Sequence, residues 1–219
     1  MTNTRSLVPI EEVRDAPEVA IEMDDLLLDR CEKHGVPALR FWESSTYFVV
    51  MGRSGKAEEE VWTQTCIEDG VPILTRSSGG GTVLQGPGCL NYALVLPFDF
   101  HPDFHSILGT TAWVMDRIQR AIDHLVPGVA IKGVSDLAML RDNTWLKVSG
   151  NAQRRRYRSF LFHGTFLHHF DLDKISTYLK LPLRQPRYRH CRTHHAFVAN
   201  LDISADTIVK SFLDSIKLN

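Results

Sequence analysis

The sequence predicts an α/β fold in which a mixed β-sheet is flanked by helices. Short runs of aromatic and β-branched residues, bounded by turn residues, recur along the chain and are typical of strands. Amphipathic stretches with apolar residues at helical spacing lie among them. Because the two kinds of segment do not alternate regularly, a doubly wound parallel sheet is disfavoured. A length of 219 residues suits one full domain with an appendage, or two small domains.

Four segments have the pattern of helices. The first begins at Asp15-Ala16-Pro17-Glu18, with Asp15 as the capping residue, and ends at Gly35. Its apolar positions are Ala20, Met23, Leu26, Leu27 and Cys31. The second helix is opened by Ser106 and ends before Pro127. The remaining two helices are expected over residues 171–181 and 203–218.

Eight segments have the length and composition of strands. They are residues 37–42, 47–52, 71–74, 90–96, 130–132, 137–140, 145–148 and 160–167. The sequence contains no internal repeat and no low-complexity tract.

The composition excludes several classes of protein. With 43% hydrophobic and 23% charged residues, the chain is neither intrinsically disordered nor collagen-like. It has no apolar run long enough to span a bilayer and no signal-type stretch near its N-terminus, so we expect a cytoplasmic protein with no membrane partner. Its four cysteines lack a C-x-x-C spacing, which favours reduced thiols.

Charge is distributed unevenly, although the formal net charge is only −1. Residues 1–69 hold seven Lys/Arg against fifteen Asp/Glu, whereas residues 147–195 hold eleven against two. The basic part could attract phosphates, a nucleic acid or an acidic protein, or it could be a solvated face balanced by the acidic part. Overall neutrality and the absence of a nucleic-acid-binding motif argue against nucleic acid.

Three short motifs carry the candidate chemistry. In Arg76-Ser77-Ser78-Gly79-Gly80-Gly81-Thr82-Val83, three glycines allow a ligand to approach the backbone, although an unliganded hairpin has the same composition. Lys147-Val148-Ser149-Gly150-Asn151-Ala152-Gln153 is interpreted as a lysine at the end of a strand, followed by a polar turn. His163-Gly164-Thr165 lies on the next strand. Taken singly, Lys147 is typical of a surface lysine and His163 of a structural histidine.

Together, and in this order, the motifs resemble the catalytic domain shared by lipoate-protein ligases, octanoyltransferases and biotin-protein ligases. The resemblance is greatest to the lipoate-protein ligase branch and covers residues 15–205. It implies a single catalytic domain over residues 1–219, built on a mixed sheet, without a C-terminal accessory domain. It further implies that ATP and Mg²⁺ are used to activate lipoate or octanoate as an acyl-adenylate, and that the acyl group passes to a lysine of an acceptor protein.

The resemblance also implies roles for individual residues. Lys147 corresponds to the indispensable lysine of the family, and a fixed ammonium there would stabilise the negative charge that develops on oxygen. Asp136 is expected to hold Mg²⁺, with a turn-forming aspartate as the equal alternative. The expected acyl and nucleotide pocket comprises Arg76, Ser78, Gly79, Gly80, Gly81, Thr82, Val83, Asn91, Ser149, Gly150, Asn151, Ala152, His163 and Gly164.

Two alternatives to the ligase remain open at this stage. An octanoyl or lipoyl transferase would act from a thioester or from a preformed acyl-adenylate, and Cys191 is its candidate nucleophile. A non-catalytic module that binds a carboxylated ligand or a nucleic acid without turnover is the other. Thr75-Arg76 and Gln85 stand where ligases usually have paired arginines and a histidine. The exact acyl contacts, and the choice among lipoate, octanoate and biotin, therefore stay open.

The expected partner is an acidic acceptor resembling a lipoyl domain or an H-protein. The basic stretch Arg154-Arg155-Arg156-Tyr157-Arg158, together with Arg184, Arg187, Arg189 and Arg192, is predicted to dock it. A separate accessory subunit could complete activation.

Overall fold

The computed structural model describes residues 9–10 and 16–216. The strands are β1 Pro9–Ile10, β2 Ala38–Trp42, β3 Phe48–Met51, β4 Ile73–Thr75, β5 Val83–Gln85, β6 Cys89–Pro97, β7 Val129–Lys132, β8 Asp136–Arg141, β9 Thr144–Arg155 and β10 Ser159–Leu167. The helices are α1 Pro17–His34, α2 Ala57–Glu60, α3 Thr63–Glu68, α4 Ile107–Asp123, α5 Asp173–Tyr178 and α6 Ala205–Ser215.

The strands form two sheets. Seven strands make the large sheet, in the order β1-β2-β6-β10-β9-β8-β7, and only its β1-β2 pair is parallel. The small sheet has the order β4-β3-β5 and also combines parallel and antiparallel pairs. The predicted α/β class with a mixed sheet is confirmed, but the strands are divided between two sheets where the sequence predicted one.

The large sheet is covered on both faces. On one face, α4 and α6 pack against side chains such as Tyr92, Phe162 and Phe166 in the main core. On the other face, α1 covers one part through Leu27, Leu28 and Cys31. The small sheet, with α3 and α5, forms a separate apolar cluster. Since every residue of β6 is buried, its near-continuous apolar run is explained by burial on both faces.

Some of the predicted helix ends are confirmed. Ser106 caps α4 by accepting a hydrogen bond from the backbone N–H of Gly109 at 2.8 Å, as predicted. Gly35 ends α1 in the left-handed conformation, also as predicted. Asp15 lies outside the described residues, and Ala16 occupies the position that precedes α1. The apolar face of α1 is corrected at Leu26, which is 59% exposed, while Asp24 is buried.

The main strand error concerns the lysine motif. Residues 147–153 do not form a turn at a strand end, because β9 continues to Arg155 and pairs with β10 over residues 149–155. The sequence also did not predict β1, α2, α3 or β5, and the predicted spans of α5 and α6 are longer than the described ones. Residues 217–219, at the end of the predicted last helix, lie outside the described part. No helix within the described ranges has the length and apolar character needed to cross a bilayer.

Candidate active site

A cleft of about 980 Å³ lies on the face of the large sheet that carries α1. Its floor follows from strand register. Across β2, β6, β10, β9 and β8, the directly paired residues are Trp42, Asn91, Thr165, Gly150 and Asp136. Because directly paired residues of antiparallel strands project to the same face, this row shares one face of the sheet. All five residues line the cleft.

A β-bulge at Val148 brings Lys147 to the same face. The pairing Leu137 with Ser149 is followed by Ala138 with Lys147, so β9 has one extra residue at this point. Strict alternation from Gly150 would have put Lys147 on the opposite face, since a slip of one residue reverses every side chain. Val148 instead packs into the main core, and Lys147 lines the cleft.

The Lys147 ammonium is held from two sides. Its Nζ lies 2.7 Å from Asp136 Oδ1, in an ion pair whose side chains are 27% and 16% exposed. The lysine end lies above Gly150, where a Cβ would stand only 2.7 Å from Nζ. The lysine backbone donates to the carbonyl of Phe197 at 2.8 Å and accepts from the N–H of Ala199 at 2.9 Å. Both ends of this residue are therefore immobilised at the cleft.

Tyr188 binds the second oxygen of the Asp136 carboxylate. Its hydroxyl donates to Asp136 Oδ2 at 2.9 Å. Burial, followed by the Asp136 carboxylate, raises the pKa of Tyr188. The phenol consequently stays protonated as a donor at neutral pH, and Asp136 accepts from Lys147 and Tyr188 at the same time.

The glycine-rich loop connects β4 to β5 and is shaped by one guanidinium. Arg76 donates from Nη2 to the carbonyls of Gly79 and Gly81, at 2.7 and 2.9 Å, and from Nε to Ser78 Oγ at 3.0 Å. Gly80 has φ of 96°, and a Cβ there would lie 2.8 Å from Arg76 Nη2. Only glycine therefore fits this turn without strain. Burial lowers the pKa of Arg76 to about 10, so it remains charged at neutral pH.

A buried chain of polar contacts links this loop to α1 and β2. Ser78 Oγ lies 2.6 Å from His163 Nε2, and His163 Nδ1 lies 3.0 Å from Asp24 Oδ2. Asp24 Oδ1 accepts from Arg40 Nη1 at 3.0 Å. The aspartate favours the His163 tautomer with hydrogen on Nδ1, which leaves Nε2 to accept from Ser78. The loop, β10, α1 and β2 are thus tied together under the cleft.

The side-chain amide of Asn151 lies on the opposite face of the large sheet. It accepts from the hydroxyl of Tyr92 at 2.6 Å and donates to the carbonyl of Ser135 at 2.7 Å, directly before Asp136. Between Asn151 and Tyr92 stands Gly164, at which a Cβ would lie 1.8 Å from Asn151 Oδ1. Asn151 therefore positions the turn that leads to Asp136, and its backbone borders the cleft.

Most of the predicted site residues come together at this cleft. Those that line it are Arg76, Gly80, Gly81, Thr82, Val83, Asn91, Asp136, Lys147, Gly150, Asn151, Ala152, His163 and Gly164. Ser78, Gly79 and Ser149 are not among the lining residues; Ser78 reaches the cleft through His163, and Ser149 is buried on the other face beside Asn151. Their predicted binding roles remain predictions.

Cys191 lies in the loop between Arg189 and His194, which line the cleft, but it is not itself a lining residue. It is exposed, follows a short 3₁₀ turn at residues 187–189, and does not line the cleft. The other three cysteines are buried outside the cleft. No cysteine within residues 9–10 and 16–216 therefore faces the Lys147 ammonium across the cavity.

Three arginines of the basic stretch after the lysine motif contact other parts of the chain. Arg154 donates to the carbonyl of Ser77 at 3.0 Å, and Arg155 donates to the carbonyl of Phe104 at 2.5 Å. Arg156 pairs with Asp29 at 2.7 Å. Strand geometry separates residue 155 from Lys147 by roughly 26 Å. Arg156, Tyr157 and Arg158 remain exposed, and docking of an acidic acceptor by this stretch stays a prediction.

Arg189 and Arg192 are also engaged internally, whereas Arg184 and Arg187 are exposed near the cleft mouth. Arg189 is buried and lies 4.6 Å from the ring centre of Phe197, and Arg192 donates to the carbonyls of Trp145 and Tyr188. Arg184 lines the cleft. Positive charge at the cleft therefore comes from Arg184 and also from Lys56, Lys180 and Arg189, which line it too.

Comparison with known families assigns the chain. The model of the lipoyl protein ligase A/B catalytic domain matches residues 16–217. The chain belongs to this family. The assignment agrees with the resemblance that the three motifs indicated.

Relatives within the lipoyl protein ligase A/B family include both ligases and transferases. The chain is 26% identical to lipoate-protein ligase A of Blochmanniella pennsylvanica over 70% of this chain and 43% of the relative. It is 29% identical to the octanoyltransferase LipM of Carboxydothermus hydrogenoformans over 82% of this chain and 71% of the relative. The chain spans about half the length of the curated ligases it matches first.

Solved structures of lipoate-protein ligases share the fold. A bi-partite lipoate protein ligase from Thermoplasma acidophilum, studied with its E2 lipoyl domain, superposes with a TM-score of 0.81 at 23% identity, covering 95% of this chain and 81% of that chain. A lipoate-protein ligase A bound with ATP gives 0.78 at 23% identity, with 95% and 83% coverage. These likenesses confirm the catalytic-domain fold of the family.

Several residues of this family member's site escaped the sequence analysis. Asp24 was detectable in principle, because it interrupts the buried stripe of α1 defined by Ala20, Leu27 and Leu28. Arg40 lies inside a strand whose five residues are all buried, which is an unusual place for a charge. Tyr188 carries no such signal, since it lies in a loop and meets Asp136 only through the tertiary fold.

Proposed function

We propose that this chain activates lipoate or octanoate with ATP as an acyl-adenylate and transfers the acyl group to a lysine of an acceptor protein. The observation that carries the proposal is the fixed Lys147 ammonium, held by Asp136 in a cleft bordered by the glycine-rich loop. A cavity of about 980 Å³ has room for an acyl chain and a nucleotide together. Membership of the lipoyl protein ligase A/B family supports the same chemistry.

In the first step, an oxygen of the acyl carboxylate attacks the α-phosphorus of ATP. The bond between that phosphorus and the bridging oxygen breaks, and pyrophosphate leaves with the bonding electrons. Negative charge grows on the phosphoryl and leaving oxygens during this exchange. The Lys147 ammonium is already in place, so it stabilises that charge without a reorganisation cost. Neighbouring backbone N–H groups of the glycine loop are available as further donors.

In the second step, the neutral amine of the acceptor lysine attacks the acyl carbon. The new C–N bond forms as the bond from the acyl carbon to the phosphate oxygen breaks, the nitrogen releases a proton, and AMP leaves. Charge again develops on oxygen beside Lys147. Neither step needs a covalent nucleophile from this chain, which is consistent with the absence of Cys191 from the cleft lining.

ATP and lipoate are supported as substrates by two structural neighbours. One is a lipoate-protein ligase A bound with ATP, and the other is a Thermoplasma acidophilum protein with bound lipoic acid, which superposes with a TM-score of 0.75. The Arg76 guanidinium, already bonded to the loop carbonyls, would keep the glycine backbone open for these ligands.

Asp136 is the residue that would hold Mg²⁺. Its two oxygens accept from Lys147 and Tyr188 and keep further lone pairs free. No cluster of three or more carboxylate, histidine or cysteine ligands occurs among the described residues, so the remaining ligands would be nucleotide phosphates and water. Bound there, Mg²⁺ would neutralise phosphate charge.

A transferase is the second candidate, because relatives include the octanoyltransferase LipM and the human lipoyl amidotransferase LIPT1. Transfer from a preformed acyl-adenylate uses the same Lys147 site. Transfer through a thioester on Cys191 would require this exposed thiol to reach the acyl group from outside the cleft.

The acceptor proposed here is an acidic lipoyl domain, or a protein like the H-protein. Two exposed apolar side chains, Val134 and Leu183, line the cleft, and the loop that carries Leu183 also carries the exposed Arg184 and Arg187. Charge complementarity with an acidic surface would bring the target lysine to the cleft mouth. An accessory subunit is a further proposed partner, because the Thermoplasma acidophilum neighbour is a bi-partite ligase.

The decisive experiment combines purified chain, ATP, Mg²⁺ and lipoate or octanoate, with and without a lipoyl domain. Pyrophosphate release, followed by a mass gain on the acceptor that matches the acyl group, is expected. If no pyrophosphate is released but the acyl group is transferred from synthetic octanoyl-AMP, the chain is the transferase. Cys191→Ser should leave both the ATP-dependent reaction and the transfer from octanoyl-AMP intact. If this variant instead loses transfer from an octanoyl thioester donor, the thiol route is identified.

A further inference from the structure

The transfer step releases a proton from the attacking nitrogen, and carboxylates and histidines are the side chains suited to accept it. Among the described residues, those that line the cleft are Asp24, Glu59, Glu60, Asp136, His163 and His194. Ion pairs with cations of this chain already occupy Asp24, Glu59 and Asp136. Both ring nitrogens of His163 and of His194 have hydrogen-bond partners. This leaves the carboxylate of Glu60.

The Glu60 side chain is half-buried beside the glycine-rich loop. The hydroxyl of Thr82 donates a hydrogen bond to its Oε2. Its Oε1 has no hydrogen-bond partner and no ion pair within the described ranges, and it is not sealed from solvent. Burial lowers the pKa of Arg76, and the nearby charge of Glu60 opposes that shift. One carboxylate oxygen is thus held by the loop, and the other is open to a ligand.

The loop that Glu60 contacts overhangs the floor near the lysine. A Cβ on Gly80 would stand 3.8 Å from the Cβ of Ala152. Ala152 is two residues beyond Gly150 on β9, so the two share one face and lie roughly 7 Å apart. Because the Lys147 ammonium lies above Gly150, the loop and the ammonium stand over neighbouring positions of the same strand.

Backbone contacts hold Glu60 at the side of the cleft where the acceptor is proposed to dock. Its carbonyl accepts from the N–H of Lys180 at 2.9 Å, and the Lys180 ammonium donates to the carbonyl of Glu58 at 2.7 Å. Lys180 leads directly into the loop with the exposed Arg184 and Arg187. A lysine presented by an acidic acceptor on that loop would therefore enter beside α2.

We propose that Glu60 is the catalytic base of the transfer step. This inference rests on the proposed function and assigns the proton that the acceptor nitrogen must lose. The acceptor lysine arrives as an ammonium, which the carboxylate attracts, and loses one proton to solvent. Its neutral amine attacks the acyl carbon, and the C–N bond forms as the bond to the phosphate oxygen breaks and AMP leaves with the bonding electrons. Glu60 takes the second proton from the nitrogen and then releases it to water.

Only one of the two steps depends on this carboxylate. Formation of the acyl-adenylate from a carboxylate and ATP moves no proton, so it needs no base. The nucleophile matters as well. The nitrogen of hydroxylamine is much less basic than an alkyl amine, so after attack it gives its proton to water without help. Glu60 should therefore accelerate transfer to lysine but not transfer to hydroxylamine.

The test uses synthetic octanoyl-AMP bound to the full chain in single-turnover experiments, with either a lipoyl domain or hydroxylamine as nucleophile. Glu60→Gln keeps the size of the side chain and an oxygen for Thr82, and it should slow transfer to the lipoyl domain about 10²-fold. Its rate with hydroxylamine should stay at the wild-type value. Glu58→Gln is the matched control, because Glu58 is exposed on the same helix and does not line the cleft. It should keep both wild-type rates.

Two results would overturn the base: wild-type transfer to the lipoyl domain in Glu60→Gln, or equal slowing with both nucleophiles. Should that variant not fold, Glu60→Asp decides by the same comparison, since a displaced carboxylate should lower only the rate with the lipoyl domain. An unchanged ratio of its two rates would contradict the assignment. Absence of transfer by the wild-type chain would instead overturn the proposed function, and the base with it.

Discussion

Asp136 and Lys147 form a 2.7 Å ion pair across neighbouring strands only because one extra residue, Val148, interrupts their ladder. The bulge turns the lysine to the cleft face, and the missing side chain at Gly150 leaves room for its ammonium. The spacing of the lysine motif is thus a geometric requirement. A lysine three residues before a glycine reaches the same face only when a bulge lies between them.

Replacing Lys147 by methionine tests the role of the charge. Lys147→Met keeps much of the side-chain volume and removes the ammonium, so the rate of pyrophosphate release should fall by about 10²- to 10³-fold. Stability should change by less than about 1 kcal/mol in urea denaturation, since the pair is partly exposed to solvent. Lys132→Met, at a lysine stacked on Trp145 outside the cleft, is the control. Retained activity in Lys147→Met would remove the central support of the proposal.

Gly150→Ala tests the position of the ammonium while keeping its charge. The new Cβ would stand 2.7 Å from Nζ, so the flexible lysine end must move away from Asp136. We expect at least a roughly tenfold loss of kcat with an intact fold, because a misplaced group of this kind is costly to catalysis. Steady-state kinetics and circular dichroism measure the two effects. Wild-type kcat in this variant would mean that the lysine position over Gly150 is unimportant.

The fold class was predictable from the sequence, and Lys147 lies at the cleft as expected, but the strand bulge that places it there was not predictable. Ser149 and Gly150 have the composition of a turn, whereas the structure uses them in a strand, with glycine required for close approach. A bulge has no composition of its own, because it is defined by pairing with Ala138 and Leu137. Local pattern therefore predicted a turn, and tertiary pairing overrode it.

The contacts of the Asp136 carboxylate lay beyond sequence reasoning for a related reason. Tyr188 is 52 residues away in the chain, and its hydroxyl meets Asp136 only when the loop after α5 folds over β8. By contrast, the three ordered motifs placed Arg76, His163 and Lys147 at one cleft because each motif contains its own local constraint. Short-range motifs were predictable, and long-range partners were not.

The buried pair of Asp24 and Arg40 should dominate local stability. Arg40 is fully buried, and removing the Asp24 carboxylate that pairs with it leaves an uncompensated buried charge. Asp24→Ala should therefore lower the free energy of unfolding by about 3–5 kcal/mol, and the double change Asp24→Leu with Arg40→Leu should cost less than the single one. Urea denaturation of Asp24→Ala and of the double variant measures both losses.

A control for this pair lies on the same helix. Asp29 pairs with Arg156 at 2.7 Å, but both side chains are more than a third exposed. Asp29→Ala should cost no more than about 1 kcal/mol. Equal losses at Asp24 and Asp29 would show that burial does not govern the strength of these pairs.

Two buried thiols should make the protein less stable at alkaline pH. Burial raises the pKa of Cys31 and of Cys89 to about 12, from a reference value of 9.0. Between those values the folded chain keeps protons that the unfolded chain loses, so the free energy of unfolding falls as pH rises through this window. Under reducing conditions, urea denaturation between pH 8 and 10.5 should give a downward slope, and Cys89→Ala should make it shallower. Cys191→Ala, at the exposed cysteine, should keep the wild-type slope, and an identical slope in Cys89→Ala would contradict the linkage.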